Sequence, residues 1–200
     1  MRVLLHICCA NCAIYPMDLL RSEGHEVMGF FFNPNIHPYG EFLKRREAME
    51  RLSAESGLRV IFQREYPLEE FFRKVAFRES MRCTLCYQWR IETTAIVAKR
   101  GKFDAFTTTL LFSKHQAHDL IRQLGEAASR AKGPIFLYRD FRKGWEQGRS
   151  KSLEMGLYRQ RYCGCLFSEA ESHGLKRRAK SPQAQEPVAF LPHPCGSDAT

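Results

Sequence analysis

The sequence has no long hydrophobic run and no internal repeat. None of its apolar segments approaches the roughly 20 residues that a helix needs to span a bilayer. The N-terminal stretch "MRVLLHICCA" is superficially like a signal peptide, but its short apolar segment leads into cysteines and a helix pattern rather than a cleavage site. We therefore interpret it as a buried first strand and expect a cytoplasmic protein without a membrane partner.

Acidic residues are in the minority. The chain has 22 Asp and Glu against 31 Lys and Arg, a formal net charge of +9. Because cationic side chains displace counterions from a phosphate backbone, this balance favours a polyanionic partner such as RNA or DNA. The 200 residues, 44% of them hydrophobic, suffice for one core. We expect a single domain over residues 1–180 and a flexible tail over 181–200, which is rich in Pro, Ala and Gln and lacks periodicity.

Strand and helix patterns alternate along the chain. The segments predicted as strands are 2–8, 26–32, 58–63, 103–108 and 134–139. Strand, helix and strand within about 30 residues make a unit whose two strands are parallel. The sequence therefore predicts an α/β fold, a three-layer sandwich around a mostly parallel sheet. Sites in such sheets lie beyond the carboxyl ends of the strands, where Cys8 ends the first strand.

The segment "TTTLLFS", residues 107–113, follows the fourth predicted strand. We expect Ser113 to cap a helix with a helical stripe of apolar residues. The stripe consists of Ala117, Leu120, Ile121, Leu124 and Ala128. Hydroxyls and free N–H groups at a helix start suit a phosphate, while ordinary capping by Thr109 and Ser113 is an equal alternative.

Seven of the eight cysteines fall into three clusters. These are Cys8, Cys9 and Cys12 in "HICCANCAIYP", Cys83 and Cys86 in "CTLC", and Cys163 and Cys165 in "CGC". Packing as small hydrophobic residues explains the polar "CGC" segment poorly, and disulfides are rare in a reducing compartment. Together the clusters indicate one shared thiolate site, with Cys195 left outside it.

Three kinds of site remain open. An iron–sulfur site ranks first, because a fold can gather its thiolate ligands from separate segments. A thiol redox site ranks second, since Cys9 and Cys12 form a CxxC where a helix N-terminus lowers a thiol pKa. A zinc site formed by this pair and by Cys83 and Cys86 ranks third. The thiol redox site and the zinc site each leave other cysteines unused.

Five motifs, spread in order across residues 3–169, resemble those of a known protein family. They are "LLHICCANCAIYP", "GFFFNPNIHPYGEF", "RCTLCYQWRIETTA", "FDAFTTTLLFSKHQ" and "LYRQRYCGCLFSE". They resemble the QueH family of epoxyqueuosine reductases. The resemblance implies a Rossmann-like fold similar to that of the PP-loop ATPases and other adenine-nucleotide α-hydrolases. It also implies reductive removal of the epoxide oxygen of epoxyqueuosine at the tRNA wobble position, which gives queuosine.

The resemblance implies a [4Fe–4S] cluster and no cobalamin. The family's cluster-binding cysteine pair and CxxC match Cys8, Cys9, Cys83 and Cys86. Some members carry Asp where this chain has Cys12, so Cys12 is expected to be a ligand of a slightly different kind. The metal ligands expected from the match are Cys8, Cys9, Cys12, Cys83, Cys86, Cys163 and Cys165.

The spare thiols would hold a second, mononuclear iron or act as a redox dithiol, which makes Cys163 and Cys165 candidates for a catalytic role as well. The segment "CCANC" takes the place of the PP-loop, so ATP is not expected. Loss of the epoxide oxygen needs two electrons and two protons, and therefore a low-potential electron donor and a general acid. Tyr162 and His37 are the candidates for that acid.

The expected partner is tRNA carrying epoxyqueuosine. A basic region surrounds and follows the CxC and comprises Arg142, Lys143, Lys151, Arg159, Arg161, Lys176, Arg177, Arg178 and Lys180. Tyr158, Tyr162 and Trp145 are candidates to stack on an exposed base. A thiol–disulfide oxidoreductase and a zinc-stabilised RNA-binding module remain the alternative functions.

Overall fold

A computed structural model describes residues 1–175 and places five strands in one parallel sheet of order β3-β2-β1-β4-β5. The strands are β1 (Arg2–Ile7), β2 (Glu26–Phe31), β3 (Val60–Phe62), β4 (Ala105–Thr108) and β5 (Ile135–Phe136). The predicted α/β class is confirmed. The two edge strands, β3 and β5, are shorter than the sequence indicates, because each pairs on one side alone.

Helices flank both faces of this sheet. They are α1 (Ala10–Ser22), α2 (Tyr39–Ser56), α3 (Leu68–Val75), α4 (Arg82–Arg100), α5 (His118–Lys132), α6 (Trp145–Glu154) and α7 (Leu166–Ser172). Helix α1 packs against α2 and α6, and α4 packs against α3 and α5. The arrangement is consistent with a Rossmann-like three-layer sandwich.

The central strand β1 explains why the sheet is buried on both faces. Val3, Leu4, Leu5 and Ile7 are fully buried, so apolar side chains point to both sides of the strand. Strand β1 pairs with β2 on one side and with β4 on the other. The order of the strands along the chain therefore reverses between β1 and β4. A cleft opens at the carboxyl ends of such a pair.

The start of α5 differs from the prediction. The helix begins at His118, and residues Thr109–Phe112 form a short 3₁₀ helix instead of leading directly into it. The Thr108 side chain accepts a hydrogen bond from Leu110 N and starts that turn. Ser113 lies at the end of this turn and accepts from His115 N. Local side-chain bonds thus stabilise a bend that the helical stripe does not reveal.

No helix in residues 1–175 is long and apolar enough to cross a membrane. The predicted tail, Cys195 and the last four residues of the predicted basic region lie outside the described residues. The single domain predicted for residues 1–180 stays a prediction.

Candidate metal centre and substrate cavity

Three cysteines meet where β1 runs into α1. The sulfur atoms of Cys8, Cys9 and Cys12 all lie within 4.8 Å of one another. Cys9 is the extended residue before the helix, and Cys12 lies in the first turn of α1, which brings its side chain back toward the other two. The structure confirms that Cys8 lies at the carboxyl end of β1, beside the reversal in strand order.

The second cluster lies in the first turns of α4. Cys83 and Cys86 are separated by about one turn, so both face the same side of the helix. Cys83 is exposed and Cys86 is half-buried. Arg90 follows one turn later, and its Nη1 lies 3.8 Å from Cys86 Sγ.

The third cluster lies in the loop before α7, and Arg45 of α2 holds this loop. The buried Arg45 guanidinium donates to the carbonyl oxygens of Tyr162 at 2.9 Å and Cys163 at 2.8 Å, and its Nε pairs with Glu41 at 2.7 Å. Gly164 lies between the two cysteines with a φ of 151°. A Cβ there would lie 2.9 Å from Nδ2 of Asn35, so the loop needs glycine.

The spacing of the sulfur atoms differs among the three cysteine clusters. Within residues 1–175, the trio of Cys8, Cys9 and Cys12 forms the one group of three or more potential ligands this close together. Burial raises the pKa of Cys163 and of Cys86, and neighbouring thiols add to this effect: Cys165 and Cys8 act on Cys163, and Cys163 acts on Cys86. All seven described cysteines are free. A single site that uses all seven as ligands stays a prediction.

Arg90 connects the clusters electrostatically. It is only 2% exposed, and no carboxylate in residues 1–175 forms an ion pair with it. Its Nη2 donates to Asn33 Oδ1 at 2.7 Å and its Nε donates to His6 Nε2 at 3.3 Å. Burial alone would lower its pKa, but negative charge on Cys86 and Cys8 raises it. A buried cation of this kind needs an anionic partner, and the sulfur atoms are the available ones.

Cys8 is the thiol that the surroundings favour as an anion. Hydrogen bonds from Cys12 and Cys9 hold its pKa well below the ordinary value, with further support from Arg90 and Thr109. Conversely, the pKa of Cys12 is raised by its bonds to Cys8 and Cys9. The surroundings of the trio thus favour Cys8 as the thiolate and Cys9 and Cys12 as thiols.

Side-chain donors point at several of the sulfur atoms. Thr109 Oγ1 lies 3.2 Å from Cys8 Sγ, and Gln160 Nε2 lies 2.9 Å from Cys9 Sγ. Asn11 Nδ2 donates to Oε1 of the Gln160 side chain at 3.2 Å, so the Gln160 amide is oriented with its NH₂ group toward sulfur.

The CxC has a similar donor. Gln116 Nε2 lies 3.6 Å from Cys163 Sγ, and Oε1 of the same side chain accepts from Tyr87 Oη at 2.7 Å. Metal-bound thiolates are held and tuned by such outer hydrogen bonds. The close trio, the oriented donors and the buried cation together fit a thiolate-bound metal centre.

A cavity of about 440 Å³ opens beside these sulfur atoms. Cys8, Cys12 and Cys163 line it. The cations on its wall are Arg45, Arg90, Arg149, Arg159 and Arg161. None of its lining residues in the described chain is acidic. The cavity therefore suits an anionic ligand that must reach the thiols.

The two predicted general acids lie in different places. Tyr162 lines the cavity, and its hydroxyl donates to the His37 carbonyl at 2.5 Å. Burial raises its pKa to about 12. The His37 ring lies outside the cavity, 4.7 Å from the Phe71 ring and 5.3 Å from the Phe72 ring, and burial lowers its pKa to about 4.

The predicted basic region divides in a similar way. Arg159 and Arg161 line the cavity, whereas Arg142 pairs with Asp140 and Lys151 with Asp18. Of the aromatic candidates, Trp145 and Tyr162 line the cavity, and Tyr158 instead donates to Glu41 Oε2 at 2.5 Å.

Sequence reasoning missed the residues that surround the thiols. These are Arg45, Arg90, Gln116, Gln160 and Asn11. Arg45, Gln116, Gln160 and Asn11 act through contacts between residues distant in the chain, which no local pattern marks. Arg90 also lies one helical turn after Cys86, and this spacing is the one local signal for it. Thr109 is an exception, because its position after β4 and opposite the end of β1 follows from the strand order.

Comparisons with known proteins agree on one family. The family model described as "Epoxyqueuosine reductase QueH" matches residues 3–171. The chain is similar to a Dehalococcoides mccartyi protein named epoxyqueuosine reductase QueH, at 38% identity over 86% of this chain and 95% of that protein. Proteins of the same name from Thermotoga maritima and Haemophilus influenzae are 36% and 31% identical, over 84% and 86% of this chain and 91% and 73% of their own lengths. The chain therefore belongs to the QueH family.

Proposed function

We propose that this protein is an epoxyqueuosine reductase. It would remove the epoxide oxygen of epoxyqueuosine at the wobble position of tRNA and leave queuosine. The observation that carries the proposal is the position of Cys8, Cys12 and Cys163 on the wall of a cavity that is rich in arginine and has no acidic lining residue in the described chain. The names of the curated relatives support the same activity.

The cofactor we propose is a [4Fe–4S] cluster, without cobalamin or ATP. When bound, such a cluster supplies single electrons, and an open iron position also supplies a Lewis acid. The cluster thiolates would come from Cys8, Cys9, Cys83 and Cys86. Cys12, Cys163 and Cys165 would then hold a second iron or serve as a redox dithiol.

The overall reaction fixes what the chain must supply. The epoxide loses its oxygen as water, so two electrons and two protons enter and a carbon–carbon double bond forms. The electrons come from an external low-potential donor. We propose Tyr162 as the proton donor in preference to His37, because Tyr162 lines the cavity and carries a proton at neutral pH, whereas the His37 ring lies outside the cavity.

The cationic wall of the cavity would bind the nucleic acid. Arg159 and Arg161 are exposed at the cavity and have no ion-pair partner in residues 1–175. They would bind phosphates next to the modified nucleoside. Arg45 would keep the CxC loop in place through its bonds to the loop carbonyls.

The direct test uses protein that has been purified without oxygen and reduced chemically. Incubation with epoxyqueuosine-containing tRNA should yield queuosine, detected by mass spectrometry of the nucleosides. A Cys83→Ser variant should lose iron, brown colour and activity, whereas the matched Cys195→Ser variant should retain all three. A colourless protein that binds zinc alone after anaerobic reconstitution would sink the proposal and favour a zinc-stabilised RNA-binding module. Thiol–disulfide exchange without epoxide reduction would favour the oxidoreductase alternative.

A further inference from the structure

Trp145 lies at the edge of the cavity, in the first turn of α6. Its indole is half-buried and packs against the hydrophobic core. The rest of the ring is open toward the cavity that holds the cysteines. An aromatic ring in this setting offers a flat surface to a ligand that reaches the thiols.

Close packing fixes the position of the helix that carries this ring. A Cβ added at Gly144 would lie 2.1 Å from a ring carbon of Tyr15, and one at Gly148 would lie 2.8 Å from the Phe112 ring. Helix α6 therefore sits directly on α1 and on the 3₁₀ helix after β4. Because both glycines let the backbone approach this closely, the helix that carries the indole is held in place.

Two cations lie over the indole. The Lys114 Nζ is 4.2 Å from the ring centroid, and the Arg149 guanidinium carbon is 5.7 Å from it. Both side chains are exposed, and neither has a carboxylate partner in residues 1–175. Long side chains of this kind can leave the ring when a better ligand arrives, and their charge then becomes available to that ligand.

An aromatic ring covered by two long cationic side chains, neither paired with a carboxylate in residues 1–175, fits single-stranded RNA. Splayed bases stack on aromatic rings, and phosphates bind Lys and Arg. Arg159 and Arg161 extend the same cationic wall toward the cysteines. We propose that Trp145 stacks on the base of a nucleotide next to the modified one, and that Lys114 and Arg149 bind the phosphates that flank that nucleotide. The proposal rests on the proposed function, since it takes an RNA loop as the partner.

Fluorescence tests the proposal directly, because the chain has only two tryptophans. A Trp89→Phe variant leaves Trp145 as the single emitter. Titration with an anticodon stem–loop RNA should quench its emission, and an abasic ribose at one position beside the wobble nucleotide should abolish the quenching. Equal quenching by polyglutamate would show that charge alone is sensed, and it would overturn the proposal.

Affinity provides the second test. Trp145→Leu keeps an apolar side chain but cannot stack, so the Kd for the RNA should rise about 5- to 100-fold, and Trp145→Phe should recover part of the loss. Lys114→Gln removes one cation, so the slope of log Kd against log salt concentration should fall by about 1. Wild-type affinity in Trp145→Leu would overturn the inference.

The two proposals fail in different ways. If wild-type protein reduces epoxyqueuosine in tRNA while Trp145→Leu binds the RNA normally, only the stacking inference is wrong. If the wild-type protein binds RNA with quenching but does not reduce it, the stacking inference stands and the proposed reaction is wrong.

Discussion

The Arg90 guanidinium lies 3.8 Å from Cys86 Sγ and forms no ion pair with a carboxylate anywhere in residues 1–175. The same group also donates to Asn33 and His6. Because burial raises the pKa of Cys86 to about 12, negative charge on Cys8 takes the place that a carboxylate usually fills beside a buried arginine in the metal-free protein. This relationship makes the state of the thiols and the stability of the fold depend on each other.

Replacing Arg90 with Met should destabilise the metal-free protein by about 3 kcal/mol, because the Asn33 and thiol partners are left buried without their donor. Arg90→Lys should recover part of the loss, since it keeps the charge but not the planar fork. Urea unfolding of the reduced protein measures both. The control is Arg46→Met, which changes a partly exposed arginine of α2 that pairs with Glu50 at 2.9 Å. Its effect should stay within about 0.5 kcal/mol. Equal effects of the Arg46 and Arg90 changes would contradict this account.

Gly164→Ala should displace the CxC loop. Its φ of 151° disfavours alanine, and the new Cβ would meet Asn35 Nδ2 at 2.9 Å. We expect lower iron content after anaerobic reconstitution and a loss of stability of about 2 kcal/mol. Gly174→Ala separates the two causes, because Gly174 also has a positive φ, 78°, but has open space around its Cβ position. Full iron loading of Gly164→Ala would show that the loop tolerates the side chain.

The sequence predicts the scaffold of the site better than its surroundings. Apolar segments of strand length locate the five strands, and the strand–helix alternation makes them parallel. The carboxyl end of a central strand is then the expected place for Cys8, and the structure confirms it. These features follow from local patterns and from the few ways in which such units can pack.

The contacts around the thiols cannot be predicted in the same way. Arg45 reaches the Cys163 carbonyl across 118 residues, and Gln160 reaches Cys9 across 151. Such pairs depend on how α2 and the loop before α7 pack on the sheet, which no local periodicity encodes. The late start of α5 has a different cause, namely the Thr108 and Ser113 side-chain bonds that compete with the helix.

The pKa of His37 predicts how stability changes with pH. Burial between Phe71 and Phe72 lowers it to about 4, whereas the unfolded chain takes up a proton near the ordinary value of 6.5. The unfolded state therefore binds more protons between these values, and stability falls as the pH drops from about 6.5 toward 4. His37 contributes at most about 1.4 kcal/mol per pH unit to that fall.

Urea unfolding at pH 7, 6 and 5 tests this prediction. The free energy of unfolding should decline less steeply with falling pH for His37→Phe than for wild type. Parallel declines would mean that His37 titrates normally in the folded protein.

Gln160→Glu tests whether the oriented amide acts on the sulfur of Cys9. The wild-type NH₂ group lies 2.9 Å from Cys9 Sγ, and Asn11 holds the amide in that orientation. A carboxylate of the same shape cannot donate and adds negative charge beside the thiolate. Because hydrogen bonds to sulfur raise the reduction potential of an iron–sulfur centre, the variant should have a lower potential and retain its iron. A redox titration followed by electron paramagnetic resonance measures the shift.

Gln147→Glu, on the exposed side of α6, introduces the same charge away from the thiols and should leave the potential unchanged. An equal shift in both variants would assign the effect to net charge rather than to the bond between Gln160 and Cys9.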